Sequence, residues 1–598
     1  MNINMKNYTY SVYIILLLVF INACSGGRRS TEITQDELTK HIRYLTSDEL
    51  AGRLTGTDGD SLAAEYIRKE LTSYGLQPLT ADGFQRFKVV DRIVAGEQNS
   101  FVVNGTKYNL ESDFLPYSFS ENGNLSAEVV FAGYGFSIEN DSLKWNDYNG
   151  IDVNGKWVLV LRADPEPDNI VSAFSQFSAD RYKAAVAKDL GASGILLVSG
   201  EGFDRDDVFD PVSREAFSVG IPSFRISRSV ADAILANKGT KINDLETKLN
   251  ESREPASFPT GTVAEGTSDL EPYRSDTRNV VMYLPGEDSL LKSEYLVFGA
   301  HFDHLGMGGE GSSSRTPDTV GVHHGADDNA SGVAMMIELA GKFAGTSGSH
   351  ARTLVFMAFS GEEEGLLGSK YFTDNSPVDL SKVDIMLNFD MVGRLNEEKT
   401  LQVGGVGTAE GLSTLVNSFN DTTLLSLTLT QEGSGPSDHS AFYAKNIPVL
   451  FITTGAHTDY HTPTDTWEKI NFDGMVSIAD YIYDLASDLA NDSSRLSYTE
   501  AGPSDDLGGR PRRRGVTLGI MPDFAGVIKN GLRADLVTPG KPAALGGMKK
   551  GDIIVSINGK PVNNIEDYMF RMSQMKRGER ISVEVIRNDK KEVLIILL

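Results

Sequence analysis

Four apolar runs in the middle of the chain each lead into ionisable residues. YLVFGA (295–300) runs into His301-Phe302-Asp303, TLVFMAF (353–359) into Glu362-Glu363, DIMLNF (384–389) into Asp390, and IPVLFIT (447–453) toward Tyr460-His461. A further acidic pair, Asp327-Asp328, precedes NASGVAMMIELAGKF, an amphipathic run whose Gly332 lets a helix start close to a sheet. Carboxylates gathered in one partly buried place repel one another and resist ionisation unless a cation compensates. Two imidazoles with three or four carboxylates suit a pair of divalent metals, zinc above all, with one carboxylate bridging them. The histidines cluster accordingly: His301, His304, His323, His324, His350, His439, His457 and His461 fall in this region, and only His41 lies outside it.

These residues need a frame that brings strand ends together. Between Arg278 and Leu489, long buried-strand runs alternate with helical ones, the pattern of a doubly wound, mostly parallel α/β sheet. In such sheets the crevice at the carboxyl ends of the strands is where ligands bind. Upstream, LTKHIRYLTSDELAGR and SLAAEYIRKELTSYG have helical apolar spacing, and Gly75 stops the second. From Phe84 to Phe258 short strands such as AEVVFAGYGF and GKWVLVLRA, with one helical piece, form a separate smaller α/β module. SSRLSYTEAGPSDDLGGRPRRRG is polar and rich in Gly and Pro, so it reads as a linker, and strands with one helix follow from Val516. The expected division is 35–125 and 270–492 for the central domain, 126–258 for the insert, 493–514 for the linker and 515–598 for a terminal module.

At 598 residues the chain exceeds one domain. Its formal charge of -26 argues against a nucleic-acid partner, because phosphates would be repelled. Val12 to Ala23 form an apolar core too short for a comfortable membrane span, ending INACSGG at the single cysteine, Cys24. This stretch resembles a bacterial lipoprotein signal. The resemblance implies cleavage before Cys24, a lipidated cysteine as membrane anchor, a tether over 25–34, and an exported protein at the outer membrane of a Gram-negative bacterium, facing the periplasm.

The series AHFDH, GADDNASG, FSGEEEGLLGS, NFDMVGR, PSDHSAF and DYHTPTDT, in that order, resembles the zinc aminopeptidase family with co-catalytic metals. The resemblance implies that His301, Asp328 and Asp390 hold one zinc, and that Asp328 bridges to a second held also by Glu363 and His461. It makes Asp303 the carboxylate that orients His301, and Glu362 the general base. Anchoring on Gly365, Leu366, Gly368 and Ser369 sets that glutamate register; the third glutamate, Glu364, departs from the family's form. The implied reaction is hydrolysis of a peptide bond by an activated water, with Glu362 moving the proton. By adjacency, Tyr460 is expected to steady the oxyanion, and Asp438 and His439 to line the site. His304, His323 and His324 are expected as loop surface or rim residues rather than ligands.

Carboxypeptidase and glutaminyl-cyclase activities belong to the same scaffold, and His301 counts against the cyclase, which lacks that histidine. A non-catalytic peptide-binding protein is the third class. Residues 128–257 resemble a protease-associated domain, and GVTLGI with PAALGGMKKGDIIVSINGKPVNNIEDY resembles a PDZ domain. These resemblances imply peptide substrates, with peptide C-termini added as a strand near Val516 to Ile520.

Overall fold

The computed structural model describes residues 32–598 except 141–142, 167–168, 170–171, 210–216, 310–311, 502–515, 524–527 and 529. The expected export signal, Cys24 and most of the expected tether lie outside the described residues.

Four strands carry the candidate site: β1 (Tyr295–His301), β2 (Thr353–Phe359), β3 (Val383–Phe389) and β4 (Val449–Thr453). Their side chains are buried almost without alternation, as strands covered on both faces must be. One face packs Leu296, Phe298 and Ala300 of β1 against the helices Gln35–Leu45, Asp58–Ser73, Gly332–Gly345 and Phe472–Asn491. The other packs Val297, Val355 and Met357 against Phe372 and Phe442, on the short helices Leu367–Asp374 and His439–Tyr443. The four strands run parallel in the order β2-β1-β3-β4. The chain steps from β1 to β2 on one side and returns to β3 on the other, and that reversal opens the ligand crevice of such sheets.

The sheet is parallel where the site lies and antiparallel toward both margins. Leu270–Leu284 pairs antiparallel with β2 and with Phe84–Ala95, and Thr400–Gly404 pairs antiparallel with β4. Phe84–Ala95 and Leu270–Leu284 are the outward and return paths of the insert, so they form a two-way neck. Beyond it an eight-stranded sheet draws strands from Ser100 through Ser268. The insert is therefore wider than the expected 126–258, because strands 100–103, 106–108 and 114–116 join its sheet. Their Phe101 and Phe114 pack with Trp157 and Phe224 in the insert's core.

The first helix ends at Leu45, short of the expected run through Arg53. A single 3-10 turn (Asp48–Leu50) follows, then Ala51, Gly52 and Arg53 adopt positive φ (44°, 73° and 50°). Close approach forces this turn: a Cβ on Gly52 would lie 2.4 Å from the Gly306 carbonyl oxygen.

The terminal module is an antiparallel sheet with the helix Ile565–Ser573. That helix is fixed to the insert, where the Arg571 fork grips Asp189 and Tyr182 meets Phe570 edge-on at 5.0 Å. Part of the expected linker is strapped down: Glu410 N–H donates to Ser497 O (3.0 Å) and Thr499 N–H to Thr408 O (2.9 Å).

Candidate metal centre

His301 closes β1, and Asp390 follows β3 directly. Asp328 sits in the irregular turn Ala326–Ser331, where its φ and ψ (-106°, 93°) leave the helical region before the helix Gly332–Gly345 begins. Gly332 permits the close start expected of it: a Cβ there would lie 2.4 Å from the Phe389 carbonyl oxygen. Asn329 ties the two parts together, donating to Phe389 O (2.8 Å) and accepting from the N–H of Gly332 (3.0 Å) and Met391 (3.3 Å).

The side chains converge as two linked groups. His301 Nε2 lies 3.3 Å from Asp328 Oδ1 and 3.6 Å from Asp390 Oδ1. His461 Nε2 lies 3.2 Å from Asp328 Oδ2 and 3.1 Å from Glu363 Oε2. Each oxygen of Asp328 thus faces a different imidazole. His461 Nδ1 is 3.0 Å from Ser313 O, and His301 Nδ1 is 3.2 Å from Asp303 O. Donation from Nδ1 to these carbonyls leaves both Nε2 lone pairs aimed at the carboxylates, the tautomer a metal ligand needs.

The electrostatics ask for added positive charge. Burial works to lower the His461 imidazole, yet Asp328 and Glu363 outweigh it and carry it up to about 10. His301 is likewise raised well above the ordinary range against its burial, by Glu362, Asp303, Asp328 and Asp390. Burial pushes Glu362 well above the usual carboxylate range; His301 opposes this while Asp438, Glu363 and Asp390 add to it. His301, Asp328 and Asp390 form one set of N and O donors suited to a zinc-like divalent ion, and His304, Asp328 and Glu363 form a second, which His461 adjoins.

The structure brings His301, Asp328, Glu363, Asp390 and His461 to one place, with Glu362 beside them. The Asp303 carboxylate has a different main contact from the one expected. It stands 3.7 Å from His301 Nδ1, but accepts the N–H groups of Glu362 (3.1 Å) and Glu363 (3.3 Å) and the Thr55 hydroxyl (3.0 Å). His304 is not on a loop surface: it is fully buried, with Nδ1 2.7 Å from Glu363 Oε1. Its main-chain N–H is held by Arg53 O (3.1 Å), so the backbone stays tied down through His304, past the end of β1, before the Gly/Ser-rich loop departs. His323 is buried too, against Ser314 Oγ at 2.8 Å, whereas His324 reaches out to Asp48. The Tyr460 ring stacks on His461 with centroids 3.8 Å apart. Asp438 is buried within electrostatic reach of Glu362 and is pushed up to about 7 by that burial, while His439 turns away to stack on Phe451.

Two partners went unnoticed in the sequence. Asp465 Oδ2 accepts the N–H of Asp327 (2.8 Å) and Asp328 (3.1 Å), and Arg394 links Asp465 to Asp459. Only the position of Asp465 four residues after His461 hinted at it.

The chain is similar to known proteins in the following respects. Residues 279–486 match the model of peptidase family M28, residues 125–234 that of the PA domain, and residues 516–598 that of the PDZ domain. Aminopeptidase YwaD of Bacillus subtilis is 24% identical over 455 residues, 73% of this chain and 81% of that protein. A probable leucine aminopeptidase of Arthroderma otae is 28% identical over 228 residues, 36% of this chain and 57% of the fungal protein. Among solved structures, a zinc aminopeptidase from Bacillus subtilis superposes with a TM-score of 0.47 at 20% identity, over 77% of this chain and 95% of its own. The chain carries a peptidase family M28 match over residues 279–486, with a PA domain inserted in the peptidase domain and a PDZ domain following it.

Proposed function

We propose that the protein is a zinc-dependent aminopeptidase that removes N-terminal residues from peptides, using two zinc ions. The observation that carries this reading is the placement of Asp328, whose two carboxylate oxygens face separate imidazoles, each with its own further acidic partner. The named aminopeptidases among its relatives support the same activity. His301, Asp328 and Asp390 would hold one ion, and Asp328, Glu363 and His461 the other. Bound there, zinc supplies Lewis acidity toward a water and toward the scissile carbonyl.

The remaining steps belong to the chain's own groups. Glu362 takes the proton of the attacking water and returns it to the leaving amine. Asp303 holds Glu362 and Glu363 in one turn through their N–H groups, and His304 meets the Glu363 oxygen that does not face His461. Tyr460, stacked on His461, would donate to the developing oxyanion.

In the terminal module, Ile520–Pro522 is the first strand of its sheet and leaves an edge to which a peptide C-terminus would add. Export and lipid anchoring at Cys24 rest on the motif at residues 12–27. The deciding assay compares aminoacyl chromogenic substrates with their N-acetylated forms. Turnover restricted to the free amines is expected; turnover confined to substrates with a free C-terminal carboxylate would replace this reading with carboxypeptidase action.

A further inference from the structure

Arg53 is among the largest fully buried side chains in the molecule, and it lies outside the residues matched to the peptidase family. The hydrogen bonds of its guanidinium all go to main-chain carbonyls. Nε donates to Phe302 O (2.7 Å), Nη1 to His324 O (2.8 Å) and to Leu45 O, and Nη2 to Gly325 O (3.1 Å). Burying a cation is costly, and neutral carbonyls offset the lost hydration only in part. Burial lowers this guanidinium to about 10, while Asp303, Asp328, Asp465 and Glu363 pull it back toward the charged form.

The carbonyls it joins are not arbitrary. Phe302 lies between His301 and Asp303 at the end of β1. His324 and Gly325 lead into the turn that carries Asp328, and Leu45 ends the first helix. The strap formed by residues 51–55 adds further ties: Arg53 O accepts the His304 N–H (3.1 Å), Gly52 O accepts the Gly306 N–H (3.0 Å), and Thr55 donates to Asp303. A planar fork with fixed donor directions can hold two backbone segments at one separation, which a flexible ammonium cannot.

We infer that Arg53 is a positioning residue of the metal centre: it sets the spacing between the strand end bearing His301 and the turn bearing Asp328, and places a fixed positive charge beneath the carboxylates. This inference rests on the reading of the site as a zinc centre.

The test uses the full-length protein and measures zinc affinity by competition with a chromogenic chelator, alongside thermal unfolding of the metal-free form. Arg53→Met should lose affinity by about 10- to 100-fold, the usual cost of removing a residue that orients ligands, and Arg53→Lys should fall between it and the wild type. Arg352→Met serves as the control. Arg352 is equally buried and also bonded to main-chain carbonyls, those of Leu489, Asp492 and Ser494, along with Glu294. Its loss should lower the unfolding temperature and leave zinc affinity unchanged. If Arg53→Met does not fold, Arg53→Lys decides. Wild-type zinc affinity in a folded Arg53 variant overturns the inference, whereas failure of the wild type itself to bind zinc overturns the metal-centre reading instead.

Discussion

The Asp303 carboxylate accepts the N–H groups of Glu362 and Glu363 together, at 3.1 and 3.3 Å. One buried side chain thus caps the turn in which the proposed base and a proposed ligand stand side by side. The turn sets the directions of both side chains, so Asp303 governs both tasks at once. Asp303→Asn keeps the shape but turns one acceptor into a donor facing those N–H groups. Zinc affinity and kcat are expected to fall together, each by about 10- to 100-fold. Chelator competition and steady-state kinetics on the same preparation check this; a change in one without the other would separate the two roles.

Glu362 and Glu363 should part company when each is replaced by glutamine. Glu362→Gln is expected to retain its zinc and lose about 10²- to 10⁴-fold in kcat, the typical worth of a positioned acid–base group. Glu363→Gln is expected to lose metal at the Asp328–His461 position. Metal analysis after exhaustive dialysis distinguishes them; zinc retained with kcat lost in Glu363→Gln, and metal lost in Glu364→Gln, would mean that the three consecutive glutamates are used in a register shifted by one.

The metal-free protein should become less stable as pH rises. His461 is carried from 6.5 up to about 10 by Asp328 and Glu363 against its burial. A histidine raised in the folded state stabilises fully below its unfolded value and loses that contribution as pH climbs through the folded one. The unfolding temperature of chelator-treated protein should therefore drop between about pH 6.5 and 10. Zinc should abolish most of that slope, because the ligating imidazole is already neutral. A flat profile without metal would show that the carboxylates do not hold His461 protonated.

The parts of this site that were legible in the sequence mostly share one property: the ionisable residue follows an apolar run that reads as a buried strand. His301, Glu363 and Asp390 announce themselves in this way, and Asp328 does so through the glycine that starts its helix. What was hidden depends on contacts between distant segments. Asp465 meets Asp328 across 137 positions, and Arg53 meets Phe302 across 249. His304 was misjudged because the Gly/Ser-rich loop after it looks like surface, although its own N–H is still bonded to the strap beneath β1. The width of the insert was hidden for a similar reason, since short strands such as 106–108 acquire meaning only beside their partners.

The most direct measurement is a zinc titration of metal-free protein, following the return of hydrolysis of a free-amine aminoacyl substrate as ions are added. The account predicts that binding saturates near two zinc ions per chain and that Asp328→Asn abolishes tight binding of both. Saturation at a single ion, or full activity in the rigorously metal-free protein, would contradict it.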